Sequence, residues 1–383
     1  MIIQPAKRLE SVKEYYFSSK LKEVALLQKQ GKPIINLGIG SPDLAPPYAV
    51  IEAMTNAVHD LSKHAYQSYQ GLPELRQGIA AFYETHYQVQ LDADSEILPL
   101  MGAKEGIMHI SMAFLNAGDA VLLPNPGYIT YASVAKMLDA TPIYYDLDAA
   151  NDWFPDLEVL EQLDLEKVKI MWLNYPHMPT GATINTNQYE ALISFAKKHK
   201  ILLVNDNPYS FILNNEPQSI LGIAGAREVS IELNSLSKTF NMAGWRIGFL
   251  SGNEAYIKKV LQVKSNMDSG MFYGIQQGAI AALKTPKSWL LNQNAIYAKR
   301  RKIVWKILDK LPCSYDKTST GLFVWAKLPK GIDSEAFCDE LLYKKDIFIA
   351  PGAIFGSNGT EYIRVSLCVN EAALKEVLKR VKK

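Results

Sequence analysis

Lys238 lies in the run Ser235-Leu236-Ser237-Lys238-Thr239-Phe240-Asn241-Met242-Ala243-Gly244-Trp245-Arg246-Ile247-Gly248, which sets one amine among hydroxyls and a single guanidinium. A lysine amine forms a Schiff base with a carbonyl compound. The hydroxyls of Ser235 and Ser237 and the planar cation of Arg246 suit a phosphate, so the segment can hold a phosphorylated aldehyde. A second phosphate-binding candidate is Gly102-Ala103-Lys104-Glu105-Gly106. It falls where an apolar run gives way to a helical pattern, which lets the backbone amides of Ala103 and Lys104 meet an anion with a helix dipole behind them.

These residues must be positioned by the elements around them. Short apolar runs at 34–37, 97–101, 120–123, 142–145, 168–173, 201–204, 229–233 and 247–250 alternate with helical patterns. The alternation predicts an α/β core with a mostly parallel sheet, because strands covered on both faces read as continuously apolar. Ligands in such sheets gather at the carboxyl ends of the strands. Gly102, Pro126-Gly127-Tyr128, Asn174, Asp206 and Ser235 all follow predicted strands, so one site should collect them. Residues 289–308 read as a charged helix whose basic run 299–302 is a solvated face. Strand-like 322–326 and 362–367 flank a helical 334–343, making a compact α+β unit. A helix over about 11–30, ended by Gly31-Lys32-Pro33, should pack on that unit.

Composition narrows the function. A chain of 383 residues with 48% hydrophobic content buries a large core, and a formal net charge of +2 singles out neither nucleic acid nor an anionic membrane. The first residues lack the apolar centre of a signal peptide, and no apolar stretch is long enough to span a bilayer, so a cytoplasmic protein is expected. Cys313, Cys338 and Cys368 are odd in number and widely spaced, which argues against a disulfide framework and against a zinc site; no metal is expected.

The Ser235–Gly248 run, with Gly244, Arg246 and Gly248 at the family spacing, resembles the cofactor-lysine motif of the class I/II aminotransferases, pyridoxal-phosphate enzymes of fold type I. The resemblance extends from about residue 11 to the end. It implies a large domain over 44–287 and a small domain built from 1–43 and 288–383. It also implies that Lys238 carries pyridoxal 5'-phosphate, with Ser235, Ser237, Arg246, Ala103 and Lys104 at its phosphate. Asp206 would hold the pyridine nitrogen, Tyr209 would reach the phenolic oxygen, and Tyr128, in Pro124-Asn125-Pro126-Gly127-Tyr128, would stack on the ring. Arg364, in Tyr362-Ile363-Arg364-Val365-Ser366-Leu367, would bind the substrate α-carboxylate, and Gly40 would let the backbone approach the substrate. Tyr66, five residues before Gly71, matches a tyrosine that reaches the phosphate of a neighbouring subunit, which implies a homodimer with shared sites.

One position departs from the family pattern. Where N-P-T-G is usual, this chain reads Met178-Pro179-Thr180-Gly181. A thioether donates no hydrogen bond to the phenolic oxygen that the asparagine would serve, leaving Tyr209 or water. The activity implied is transfer of an amino group between an amino acid and a 2-oxo acid in a ping-pong cycle. A pyridoxal-phosphate carbon–sulfur lyase or other eliminase is the alternative. The segment 264–272, which resembles the partner-subunit loop, has no arginine for a second carboxylate. Strict aspartate preference is therefore disfavoured, and the nearest flavour is alanine-type or diaminopimelate-type.

Overall fold

A computed structural model describes residues 3–12, 14 and 16–382. The helix read from the sequence begins at Tyr16 and ends at Lys29. Ser11 instead closes a separate 3-10 turn, because the chain becomes extended at Val12; Lys13 and Tyr15, inside the predicted helix, lie outside the described residues.

Among the described residues, thirteen strands form three sheets. β1 (Ile35–Asn36) is a short outlying strand. β2 (Ile97–Leu100), β3 (Ala120–Asn125), β4 (Thr141–Asp146), β5 (Val168–Leu173), β6 (Leu202–Asp206), β7 (Ser230–Ser235) and β8 (Gly248–Gly252) make a seven-stranded sheet of order β2-β8-β7-β6-β5-β3-β4. β7, β6, β5, β3 and β4 run parallel, whereas β8 is antiparallel to both its neighbours.

Alternation explains the apolar runs. In β5, Ile170 and Trp172 enter one buried cluster while Met171 and Leu173 enter the cluster on the other face. Every second side chain thus serves a different helical layer, so no polar face remains.

Seven of the eight apolar runs build this sheet, and the eighth does not. Residues 34–37 supply β1, which pairs in parallel with β11 (Ile347–Phe348). Leu37 donates to the Phe348 carbonyl at 2.7 Å and accepts from the Ser366 amide at 2.8 Å. Such pairing fastens the segment to the C-terminal unit, where β12 (Ala350–Pro351), β13 (Tyr362–Ser366), β10 (Phe323–Lys327) and β9 (Ser314–Tyr315) form an antiparallel sheet. Phe17 and Val24 of the N-terminal helix join the same buried cluster, and Lys20 bonds Asp339 at 2.8 Å.

The long helix Lys287–Lys310 corrects another expectation. Its basic run is not wholly solvated: Arg300 is buried, gripping Asp43 with both terminal nitrogens at 2.6 and 2.9 Å. Arg301 is half-buried and donates to Ser319 O at 2.7 Å. Arg300 thereby ties the helix to the segment that follows Gly40, and a planar fork makes that tie bidentate.

Candidate active site

The carboxyl ends of β3, β5, β6 and β7 and the loop after β2 open on one cavity of about 640 Å³. Its lining includes Gly40, Ala103, Lys104, Tyr128, Asn174, Met178, Asp206, Tyr209, Ser235, Ser237, Lys238, Arg246 and Arg364. Of the residues given a role by the resemblance, all are brought together here except Tyr66, which is 89% exposed and is not part of the lining; of those that follow the predicted strands, Gly102, Pro126 and Gly127 are not part of it either.

Lys238 sits in a one-turn helix, Leu236–Thr239, capped by Ser235, whose Oγ accepts from the Ser237 amide at 3.1 Å. Its Nζ donates to Gly40 O at 2.5 Å. Burial, with added repulsion from Arg364 and Arg246 and some opposing attraction from Cys368, lowers its amine to about 8, so a neutral nucleophile is available near neutral pH.

A cationic cup stands at one end of the cavity. Gly102 has φ 95°, and a Cβ there would fall 2.4 Å from Arg246 Nη2, so glycine allows the guanidinium to lie against the start of the helix Ala103–Phe114. Burial and the nearby Arg246 lower the Lys104 amine. Two cations, two serine hydroxyls and first-turn amides converging on one place fit a phosphate.

Asp206 ends β6 at the other side. Its Oδ2 accepts from Tyr131 Oη at 2.7 Å, whereas Oδ1 is buried with no hydrogen-bond partner among the described residues. Burial pushes the carboxyl up to about 7, opposed by the Tyr131 bond. An unmet buried acceptor facing a cavity suits a protonated ring nitrogen, so the donor set fits a pyridine phosphate held by a lysine. Tyr131 was missed in the sequence. It lies three residues after Tyr128 and packs flat on Trp172, ring centres 4.6 Å apart.

Arg364, on β13, is buried. Its Nη2 donates to Gly38 O at 2.8 Å and Nη1 to Met178 Sδ at 3.3 Å. The guanidinium lies over the rings of Phe323 and Phe355, 3.9 and 4.6 Å from their centres. Gly40 makes room for this stack, because a Cβ there would stand 2.2 Å from Phe323 Cζ. Asn174 is already engaged: its amide donates to Asp206 O and its carbonyl accepts from the Met178 amide at 2.9 Å. Beneath the cup, Glu105, His109 and Asp268 each bring one ligand-type atom within 4.8 Å of the others, and Lys264 closes on Asp268 at 2.8 Å. That cluster already contains its own cation.

A family model described as aminotransferase class I and II matches residues 32–381. The LL-diaminopimelate aminotransferase of Halothermothrix orenii is 37% identical over 99% of this chain and 98% of its own length. That of Oleidesulfovibrio alaskensis is 39% identical over 98% of each. Among solved structures, substrate-bound BacF from Bacillus subtilis superposes with a TM-score of 0.94 at 35% identity, covering 100% of this chain and 98% of that one. An aspartate aminotransferase from Thermotoga maritima gives 0.91 at 26%, covering 99% of each.

Proposed function

The chain belongs to the class I and II aminotransferases, and from that premise we propose how its own residues carry out amino transfer. It is a pyridoxal-phosphate-dependent aminotransferase of fold type I, acting between an amino acid and a 2-oxo acid. The relatives carry the aminotransferase name, so the carbon–sulfur lyase alternative is not carried forward.

When bound, pyridoxal phosphate supplies an aldehyde and an electron-withdrawing ring. Lys238 would hold that aldehyde and, when a substrate amine takes its place there, its freed Nζ would be the group that moves the substrate α-proton. Ser235, Ser237, Arg246 and the amides of Ala103 and Lys104 bind the phosphate. Asp206 Oδ1 would hold the ring nitrogen protonated, Tyr128 would cover the ring face, and Tyr209 would serve the phenolic oxygen. Arg364 grips the α-carboxylate beside Gly40 and thereby fixes the α-hydrogen near Lys238. The observation that carries the assignment is the convergence of Lys238, the cationic cup and the unmet Asp206 oxygen on one cavity.

The working unit in this reading is a homodimer. Tyr66 is exposed, as are Tyr48 at 77% and Leu61 at 88%, and Gly270 of the 264–272 segment packs on Gln67, so the two segments assigned to a neighbour's site adjoin. The domain division is 44–287 against 1–43 with 288–383, supported by the separate buried cluster that joins both termini. Among the described residues no helix is long and apolar enough to cross a membrane. A cytoplasmic enzyme is the reading we adopt. The test is spectroscopic: an amino acid alone should convert the absorbance of the bound cofactor from its aldehyde to its amine form, and a 2-oxo acid should restore it. Lys238→Ala should do neither, and turnover in that variant would overturn the assignment.

A further inference from the structure

Resting on the aminotransferase reading, we infer that the substrate taken by this site is an α-amino acid with an uncharged, apolar side chain, in contrast to LL-diaminopimelate, for which the relatives are named and whose side chain ends in both an ammonium and a carboxylate. The charged residues lining the cavity, among those described, are Lys104, Asp206, Lys238, Arg246 and Arg364. The first four face the cofactor in the proposed arrangement and Arg364 takes the α-carboxylate. Among the described residues of this chain, no charged group of the lining is left for a second carboxylate or a second ammonium.

Arg364 lies over the rings of Phe17, Phe323 and Phe355, and Leu21 and Ile39 add to the apolar lining of the same cavity, beside the small hydroxyls of Ser18 and Ser41. A charged side-chain end placed among them would lose its water without gaining an opposite charge, whereas an apolar one gains by burial.

The neighbouring subunit does not restore what is missing through the segments assigned to it. Tyr66 is uncharged, and the 264–272 segment holds one cation, Lys264. That ammonium is buried against Asp268 Oδ1 at 2.8 Å, the two side chains 2% and 4% exposed, so the cation is already paired with a carboxylate. Met178 acts in the same direction. Its sulfur stands at 3.3 Å from Arg364 Nη1, which puts a soft apolar group where the family pattern has an amide.

Single-turnover measurements on the holoenzyme test this, with L-methionine, L-leucine, L-phenylalanine, L-alanine, L-aspartate and LL-diaminopimelate as separate donors. At least one of the first three should exceed aspartate and LL-diaminopimelate by about 100-fold or more in kcat/KM. LL-diaminopimelate or aspartate within about tenfold of the best apolar donor would overturn the inference while leaving amino transfer intact. No conversion with any donor would overturn the amino-transfer reading itself. Leu21→Ala should lower the ratio of the best large apolar donor to alanine by roughly tenfold. An unchanged ratio would show that the Leu21 wall does not meet the substrate.

Discussion

Replacing Tyr131 with phenylalanine removes one oxygen and leaves the ring that packs on Trp172. The lost group is the donor, 2.7 Å from Asp206 Oδ2, that favours the charged carboxylate inside a buried site. In the cofactor-free protein, burial raises the Asp206 carboxyl from 3.8 to about 7. A carboxyl raised on folding contributes stability below its unfolded value and loses that contribution as pH climbs to the folded value. At about 1.36 kcal/mol per unit, this group alone costs roughly 4 kcal/mol between those limits. Tyr131→Phe pushes the carboxyl higher still. Where Asp206 is neutral the variant loses an ordinary hydrogen bond of about 1 kcal/mol, and where it is ionised it loses one of about 2–3 kcal/mol. The stability deficit should therefore grow by about 1–2 kcal/mol between about pH 5.5 and about pH 8.5, which corresponds to roughly one unit of upward displacement. Denaturant melts of the cofactor-free protein, followed by tryptophan fluorescence, measure the deficit. The growth should disappear in an Asp206→Asn background. An equal deficit at both pH values, or pH-dependent growth that survives Asp206→Asn, would refute the claim that Tyr131 supports the Asp206 charge.

Arg364→Ala should weaken amino-acid substrates by about 2–5 kcal/mol, the range for loss of a buried carboxylate partner, with cofactor affinity largely retained. Steady-state kinetics with a cofactor titration check it, and a loss confined to cofactor binding would mean that Arg364 was placed wrongly. Met178→Asn offers an amide donor at the cavity wall beside Arg364. If it reaches the phenolic oxygen of the cofactor, it stabilises the phenolate and lowers the pH at which the holoenzyme's visible absorbance titrates. A midpoint unchanged or raised would show that position 178 does not face that oxygen.

Much of the frame was legible because its signals are local. Most of the apolar runs mark strands buried on both faces, the edge strand β4 being partly exposed, and residues that follow the runs at 34–37, 97–101, 120–123, 168–173, 201–204 and 229–233 line the cavity. Pairing between distant segments was less legible. Residues 34–37 look like any core strand in sequence, and their place beside β11 depends on a partner more than 300 residues away. The burial of Arg300 was hidden for the same reason, since its partner is Asp43. Tyr131 carries no signal that separates it from an ordinary core aromatic; only the approach of β6 shows that its hydroxyl meets Asp206. The apolar walls were invisible too, because Phe17, Ile39, Phe323 and Phe355 come from four separate segments.

The central claim is that Lys238 is the amine that carries the cofactor, and borohydride reduction of the holoenzyme followed by peptide mass mapping tests it most directly. Reduction makes the lysine–cofactor bond permanent. The account expects one phosphopyridoxyl group per chain, on the peptide containing Lys238 and lost in Lys238→Ala. The label on Lys104, the other lysine lining the cavity among the described residues, or on any other lysine, would contradict this claim.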